Sequence, residues 1–139
     1  MIYGIGCDLC GIARMEKSLR GEHSAAFVRR VFGPEEQKLL GLPLPEAENG
    51  PVRGAAHRAA SAAADFAAKE AFLKAAGTGL REPFSLCEIE AVRLPGGAPE
   101  YHFSGKTEKW VNERNLKAHL SLSHDDGMAL AYCILERET

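Results

Sequence analysis

A chain of 139 residues, 45% of them hydrophobic, can bury roughly two thirds of its unfolded surface around one core without disulfide or metal staples. The formal charge of −2 excludes a global nucleic-acid footprint, so any polyanion site must be local. The opening MIYGIGCD lacks the pattern of a signal peptide and the late run MALAYCIL is too short to span a bilayer, so a soluble cytoplasmic protein with neither membrane nor nucleic-acid partner is expected.

In chain order, residues 2–7 (IYGIGC) read as a short strand whose glycines mark close approach of a backbone or a ligand, with Asp8 following it. Ile12, Met15 and Leu19 recur at helical spacing and Gly21 closes that segment. Phe27, Val31 and GPEEQKLL continue helically, with Pro34 in a first turn and Glu35 and Glu36 at the positive end of its dipole. Residues 41–57 (GLPLPEAENGPVRGAAH) read as a long surface loop within one domain spanning 1–139. An alanine-rich helix is expected from about 59 to 76, capped by Gly77. Residues 86–94 alternate as a strand, with Cys87, Ile89 and Ala91 on one face and Glu88 and Glu90 on the other. PGGAP turns into a second strand, EYHFS, and a short helix surrounds Trp110. HLSLS and MALAYCILE form a hairpin whose turn is Asp126-Gly127. Cys87 and Cys133 sit among apolar neighbours, as small core residues do. Strand, helices, then hairpins is an α+β order, not a repeated βαβ one.

The helix is either a solvated one with an ordinary stop signal or the carrier of a site. Ala67, Glu70, Ala71 and Lys74 share one face, and small neighbours there allow something to approach closely. Phe66, Lys69 and Leu73 form an adjacent stripe that buries at least its apolar members. Glu70 and Lys74 read either as a solvated i,i+4 pair or as a cation ligand beside a phosphate contact. Asp8 reads as a second cation ligand or as a helix N-cap. His124, among Ser121, Ser123, Asp125 and Asp126, is a general base, a phosphate contact or an ordinary hairpin residue. Arg14 and Lys17, followed by Arg20, Arg29 and Arg30, form either a charged helix face or a basic patch suited to an acidic partner. Cys7-Asp8-Leu9-Cys10 is a C-x-x-C between strand and helix, which also admits a thiol–disulfide enzyme.

Taken in order, Gly4-Ile5-Gly6-Cys7-Asp8, Ile12-Ala13-Arg14-Met15, Phe27 with Arg30, Phe66-Ala67-Ala68-Lys69-Glu70-Ala71-Phe72, Lys74-Ala75, Gly77-Thr78-Gly79 and His119-Leu120-Ser121-Leu122-Ser123-His124 carry a resemblance across nearly the whole chain. The sequence resembles the short bacterial holo-acyl-carrier-protein synthases of the phosphopantetheinyl transferases. The resemblance implies an antiparallel sheet packed against helices, one of them long and central. It implies transfer of 4′-phosphopantetheine from coenzyme A to a serine of apo-acyl carrier protein, with release of adenosine 3′,5′-bisphosphate, in fatty acid biosynthesis.

On that resemblance Asp8 and Glu70 hold Mg²⁺, or Mn²⁺, which suits the same oxygen donors. Lys74, Gly77, Thr78 and His124 meet coenzyme A, and Arg14 with Lys17 meets the carrier protein. Glu70 is the first choice of base and His124 or Asp125 the second. A homotrimer with sites between subunits is also implied.

Two departures stand out. Asp65 occupies a position where many relatives carry a phosphate-binding arginine, for which Arg53 or Arg58 could compensate. Residues 21–24 offer only His23 where some relatives have a second basic contact for the carrier. A non-catalytic module that grips coenzyme A or a carrier protein is the alternative, supported by Asp65 and the long loop at 41–57.

Overall fold

The computed structural model describes residues 1–44 and 54–139. Strand β1 (Ile2–Gly11) leads into helices α1 (Ile12–Arg20), α2 (Ser24–Val31) and α3 (Pro34–Leu40). The long helix α4 (Ala55–Ala76) follows, then strands β2 (Ile89–Arg93) and β3 (Pro99–Phe103), helix α5 (Gly105–Glu113), and strands β4 (Leu116–Asp125) and β5 (Met128–Arg137). Among the described residues β1, β5 and β4 form an antiparallel sheet in that order, and β2 and β3 form a separate hairpin. This is the α+β architecture expected from the sequence, built around one long helix.

Alanine dominates α4, where it costs least to order, and the 22 residues reach about 33 Å. Gly77 ends the helix at φ 84°, its N–H donating to the carbonyls of Leu73 and Lys74. The hairpin of β4 and β5 closes through Asp126 and Gly127, both at positive φ, as a two-residue turn whose twist matches the strands. Phe72 of α4 anchors the aromatic core, with Phe84, Tyr101, Phe103 and Trp110 at centroid distances of 4.9 to 6.4 Å.

The glycines of β1 are explained by α4. A Cβ at Gly4 would stand 1.8 Å from the carbonyl oxygen of Ala75, and one at Gly6 would stand 1.9 Å from that of Ala71. The object that approaches this face of the helix is therefore the backbone of β1. Gly4, Gly6, Asp8 and Cys10 share the face of the strand turned toward α4, by the period-2 rule.

Several expectations need correction. Asp8 does not follow the first strand but lies within it, paired with Ala131, because β5 extends the ladder to Gly11. α4 starts at Ala55, so the end of the expected loop is helical, while its middle lies outside the described residues. Residues Leu86–Glu88 form a 3₁₀ turn, so the strand starts only at Ile89, and its first four residues are all buried instead of alternating. Glu90 is buried, not on a wet face, and accepts the backbone N–H of Glu36 at 2.8 Å. Cys133 is buried as expected, Cys87 only partly so, and Cys10 is the other core thiol.

Lys69 is fully buried, as is Leu73 of its stripe, whereas Phe66 is partly buried. Its ammonium donates to the carboxylate of Glu36, to the Ile89 carbonyl, and to the Leu86 carbonyl at 3.1 Å, using all three of its protons. Glu36 also accepts the N–H groups of Gly33 at 3.1 Å and Ala91 at 3.0 Å. Among the described residues no buried side-chain polar atom lacks a partner. The pair ties α3 and α4 to the start of β2. No described helix is long and apolar enough to cross a membrane.

Candidate active site

Because Gly4 and Gly6 lay β1 directly on α4, Asp8 reaches the last turns of the helix. The Lys74 ammonium donates to Asp8 Oδ1 and to the Cys7 carbonyl, each at 3.0 Å. Glu70, one turn earlier, is half-buried beside them. Burial and the neighbouring charge of Asp8 push its carboxyl up, with Lys74 pulling it down. The hydrogen bond to Asp8, and then its charge, raise the Lys74 ammonium above the ordinary lysine range, although the side chain is largely exposed. Of the readings left open for these residues, the i,i+4 pair is not the contact formed: Lys74 turns to Asp8 on the strand. Asp8 caps no helix, since Gly11 occupies that position for α1.

The donor set suits a hard cation that takes few protein ligands. Burial and then the charge of Asp8 on the strand raise the Glu70 carboxyl on the helix, and the Lys74 ammonium sits on Asp8. Among the described residues no group of three or more His, Cys, Asp or Glu is arranged to hold a metal ion. A fully caged metal is thus unsupported here, whereas a cation completed by water and phosphate oxygens fits. Gly77 and Thr78 follow Lys74 at the end of α4, with the Thr78 hydroxyl donating to the Gly79 carbonyl at 3.1 Å.

His124 is elsewhere. It lies at the far end of β4, across from Ala129, and β5 separates β4 from β1. Two strand spacings and a two-residue offset put it roughly 12 Å from Asp8 along the sheet. It lines a separate cavity of ≈ 310 Å³ with His57, Ser61, Arg93 and Ser123. Asp125 is exposed at the end of the same strand. The structure therefore brings Asp8, Glu70 and Lys74 together and does not bring His124 or Asp125 to them within one chain. Arg14 and Lys17 are exposed on α1, and Lys17 borders an open groove with Glu16 and Arg20.

Asp65 is buried on α4, and its Oδ1 accepts a hydrogen bond from the Arg93 guanidinium at 3.1 Å. Arg93 was not identified from the sequence. The available signal was Asp65 itself, an acid among alanines of a buried stripe that calls for a cation from another element, but only the fold says which. Arg53 lies outside the described residues, and the Arg58 guanidinium lies against Gly41.

The C-x-x-C motif is not at a helix start. Cys7 and Cys10 both lie in β1, three apart and hence on opposite faces, with Cys7 exposed and Cys10 buried. Burial pushes the Cys10 thiol up, with Arg14 opposing, which is the wrong direction for a reactive thiolate.

The whole chain is similar to known proteins in sequence and fold. The profile of the 4′-phosphopantetheinyl transferase superfamily matches residues 4–133. A holo-[acyl-carrier-protein] synthase of Leptothrix cholodnii is 36% identical over 140 residues, covering 99% of this chain and 98% of the relative. The crystal structure of the holo-[acyl-carrier-protein] synthase of Neisseria meningitidis superposes with a TM-score of 0.75 at 34% identity, over 99% of this chain and 100% of that one. That of Helicobacter pylori, solved in complex with coenzyme A, superposes with a TM-score of 0.74 at 28% identity, over 95% of this chain and 99% of that one.

Proposed function

The chain belongs to the 4′-phosphopantetheinyl transferase superfamily, and we propose that it moves the 4′-phosphopantetheine arm of coenzyme A onto a serine of apo-acyl carrier protein. The observation that carries this reading is the convergence of Asp8, Glu70 and Lys74 where β1 crosses the end of α4.

The reaction exchanges a phosphoanhydride bond for a phosphodiester bond. The serine oxygen bonds to the phosphorus bearing pantetheine, and the bond from that phosphorus to the bridging oxygen of the pyrophosphate breaks. The leaving group is adenosine 3′,5′-bisphosphate. Such transfers need alignment and charge neutralisation more than covalent help from the protein. Asp8 and Glu70 would hold Mg²⁺, or Mn²⁺, which supplies charge neutralisation at the pyrophosphate. Lys74 adds a point charge and has to leave Asp8 for a phosphate oxygen. Glu70, its carboxyl already pushed up, is poised to take the serine proton. Arg14 and Lys17 offer exposed positive charge to an acidic carrier.

The same reading includes an assembly of three copies with sites shared between them. The sheet face turned away from α4 supports it, for it exposes Ile5, Leu9, Leu130 and Tyr132 side by side on β1 and β5. The separation of His124 from Asp8 supports it too, since an adjacent copy could bring the two clusters together.

Intact mass spectrometry of an apo-acyl carrier protein incubated with this protein, coenzyme A and Mg²⁺, beside a control with EDTA, tests the reading. A phosphopantetheinyl mass gain that needs the metal is expected. If coenzyme A binds and several carriers gain nothing, the chain is a binding module instead.

A further inference from the structure

We propose that Arg93, held in place by the buried carboxylate of Asp65, is the specificity-determining cation for the 3′-phosphate monoester of coenzyme A in the cavity shared with Ser61, Ser123 and His124. The inference rests on the transferase reading above and deepens it.

Asp65 has no packing reason to be an acid. Its neighbours on the buried side of α4 are Ala63, Ala64, Ala67 and Ala68, and an alanine would serve the packing equally well. Burial, with Glu36 nearby, pushes its carboxyl up to about 7, so the charge is held at a cost. Its hydrogen-bonded partner is the guanidinium of Arg93 at 3.1 Å, whose side chain remains 37% exposed. Among the described residues that is the one hydrogen bond the guanidinium makes, and a guanidinium carries five donors. Asp65 thus fixes the direction of a planar fork and leaves donors for a ligand.

Arg93 borders two cavities, one lined with Asp65, Leu39 and Leu40 and one lined with His124, and the second is the one suited to an anion. Arg93, the imidazole of His124, His57 and the hydroxyls of Ser61 and Ser123 line it, and among the described residues no carboxylate does. Its volume of ≈ 310 Å³ exceeds what a phosphate needs and leaves room for part of a ribose. A phosphate monoester carries close to two charges at neutral pH and accepts bidentate hydrogen bonds from arginine.

Coenzyme A has two anionic places. The pyrophosphate adjoins the bond that breaks and belongs with Asp8, Glu70 and Lys74 on the reading above. The remaining anion is the 3′-phosphate on the ribose, and the remaining described cavity with an arginine, a histidine and hydroxyls is this one. That holds whether the two clusters serve one coenzyme A from a single chain or from adjacent copies. Asp65 is then a positioning residue, and the cation that meets the phosphate comes from β2.

The test compares coenzyme A with dephospho-coenzyme A as substrates, and adenosine 3′,5′-bisphosphate with 5′-AMP as ligands in calorimetry without carrier protein. The parent protein is expected to favour the 3′-phosphorylated member of each pair by about 10- to 100-fold, the worth of a charge-assisted contact. Arg93→Ala should abolish that preference by raising KM for coenzyme A and leaving KM for dephospho-coenzyme A in place, and Arg93→Lys should restore part of it. Because Arg93→Ala strands Asp65, the double variant D65A/R93A serves as the folded control and should show the same lost preference. A preference retained in these variants, or an equal loss for both substrates, overturns the inference and leaves the transferase reading standing. A rise in KM for the carrier protein alone assigns Arg93 to the carrier and overturns it too. A parent protein that neither consumes coenzyme A nor binds the bisphosphate overturns both.

Discussion

Three side chains carry the proposed chemistry, and each is held by something identifiable. Lys74 is kept from solvent wandering by Asp8 and the Cys7 carbonyl. Glu70 is half-buried beside a second carboxylate, an arrangement that disfavours its ionised form in the resting protein. Glu70→Gln removes that conflict. The variant is expected to keep or slightly raise the melting temperature while the transfer rate falls by at least about 100-fold. Turnover near that of the parent would take Glu70 out of the mechanism. The same residue predicts a pH dependence. A raised carboxyl is charged only above its raised pKa, so a cation competes with protons over a range shifted up from the ordinary glutamate value of 4.5. Apparent Mg²⁺ affinity in the transfer assay should therefore decline as pH falls, with its midpoint above 4.5. A midpoint at or below that value would show that Glu70 does not gate cation binding.

At the level of elements, the contact of β1 with α4 decides whether Asp8 meets Glu70 at all. Alanines on the helix and glycines on the strand bring two backbones together, and a single methyl group is too much. In Gly6→Ala the new carbon would lie 1.9 Å from a helix carbonyl, so something must shift. A loss of about 3 kcal/mol or more in urea unfolding is expected, beyond an ordinary overpacking cost, because backbone cannot rotate aside. A loss under about 1 kcal/mol would mean that strand and helix are less tightly apposed. The second joint is Lys69 with Glu36. Lys69→Met would leave a buried carboxylate with its strongest partner gone and should cost about 3–5 kcal/mol. Unfolding at pH 5 and pH 7 separates causes: a penalty from the stranded charge grows as pH rises, whereas lost packing is equal at both.

For the whole molecule, the sheet has two unlike faces. One is covered by α4, and the other displays Leu9, Leu130 and Tyr132 to solvent in the single chain. A contiguous apolar sheet face is a surface that a second copy can cover. Leu130→Lys is expected to convert a three-copy assembly to single chains in size-exclusion chromatography with light scattering, with transfer activity falling alongside. If the parent already runs as a single chain, the shared-site arrangement is wrong, and the distance between His124 and Asp8 has to be bridged within one protomer or not at all.

The sequence by itself determined the α+β order, the long helix, the two-residue turn at Asp126-Gly127 and the co-facial placement of Glu70 and Lys74. Each depends on local periodicity, on alanine propensity or on a glycine-tolerant dihedral, and such properties act within a few residues. Ordered motifs along the chain added the family. What only the tertiary structure decided is what touches what across elements. Strand β1 continues through Asp8 because β5 is there to pair with it. Lys69 is a core residue because Glu36 and two carbonyls from distant segments surround it. Glu90 turns inward for the same reason, and Arg93 stands at Asp65 although 28 residues separate them. A charged side chain reads as exposed in sequence because burial alone is unfavourable. Its partner lies dozens of residues away, and no local pattern records that partner until the chain has folded.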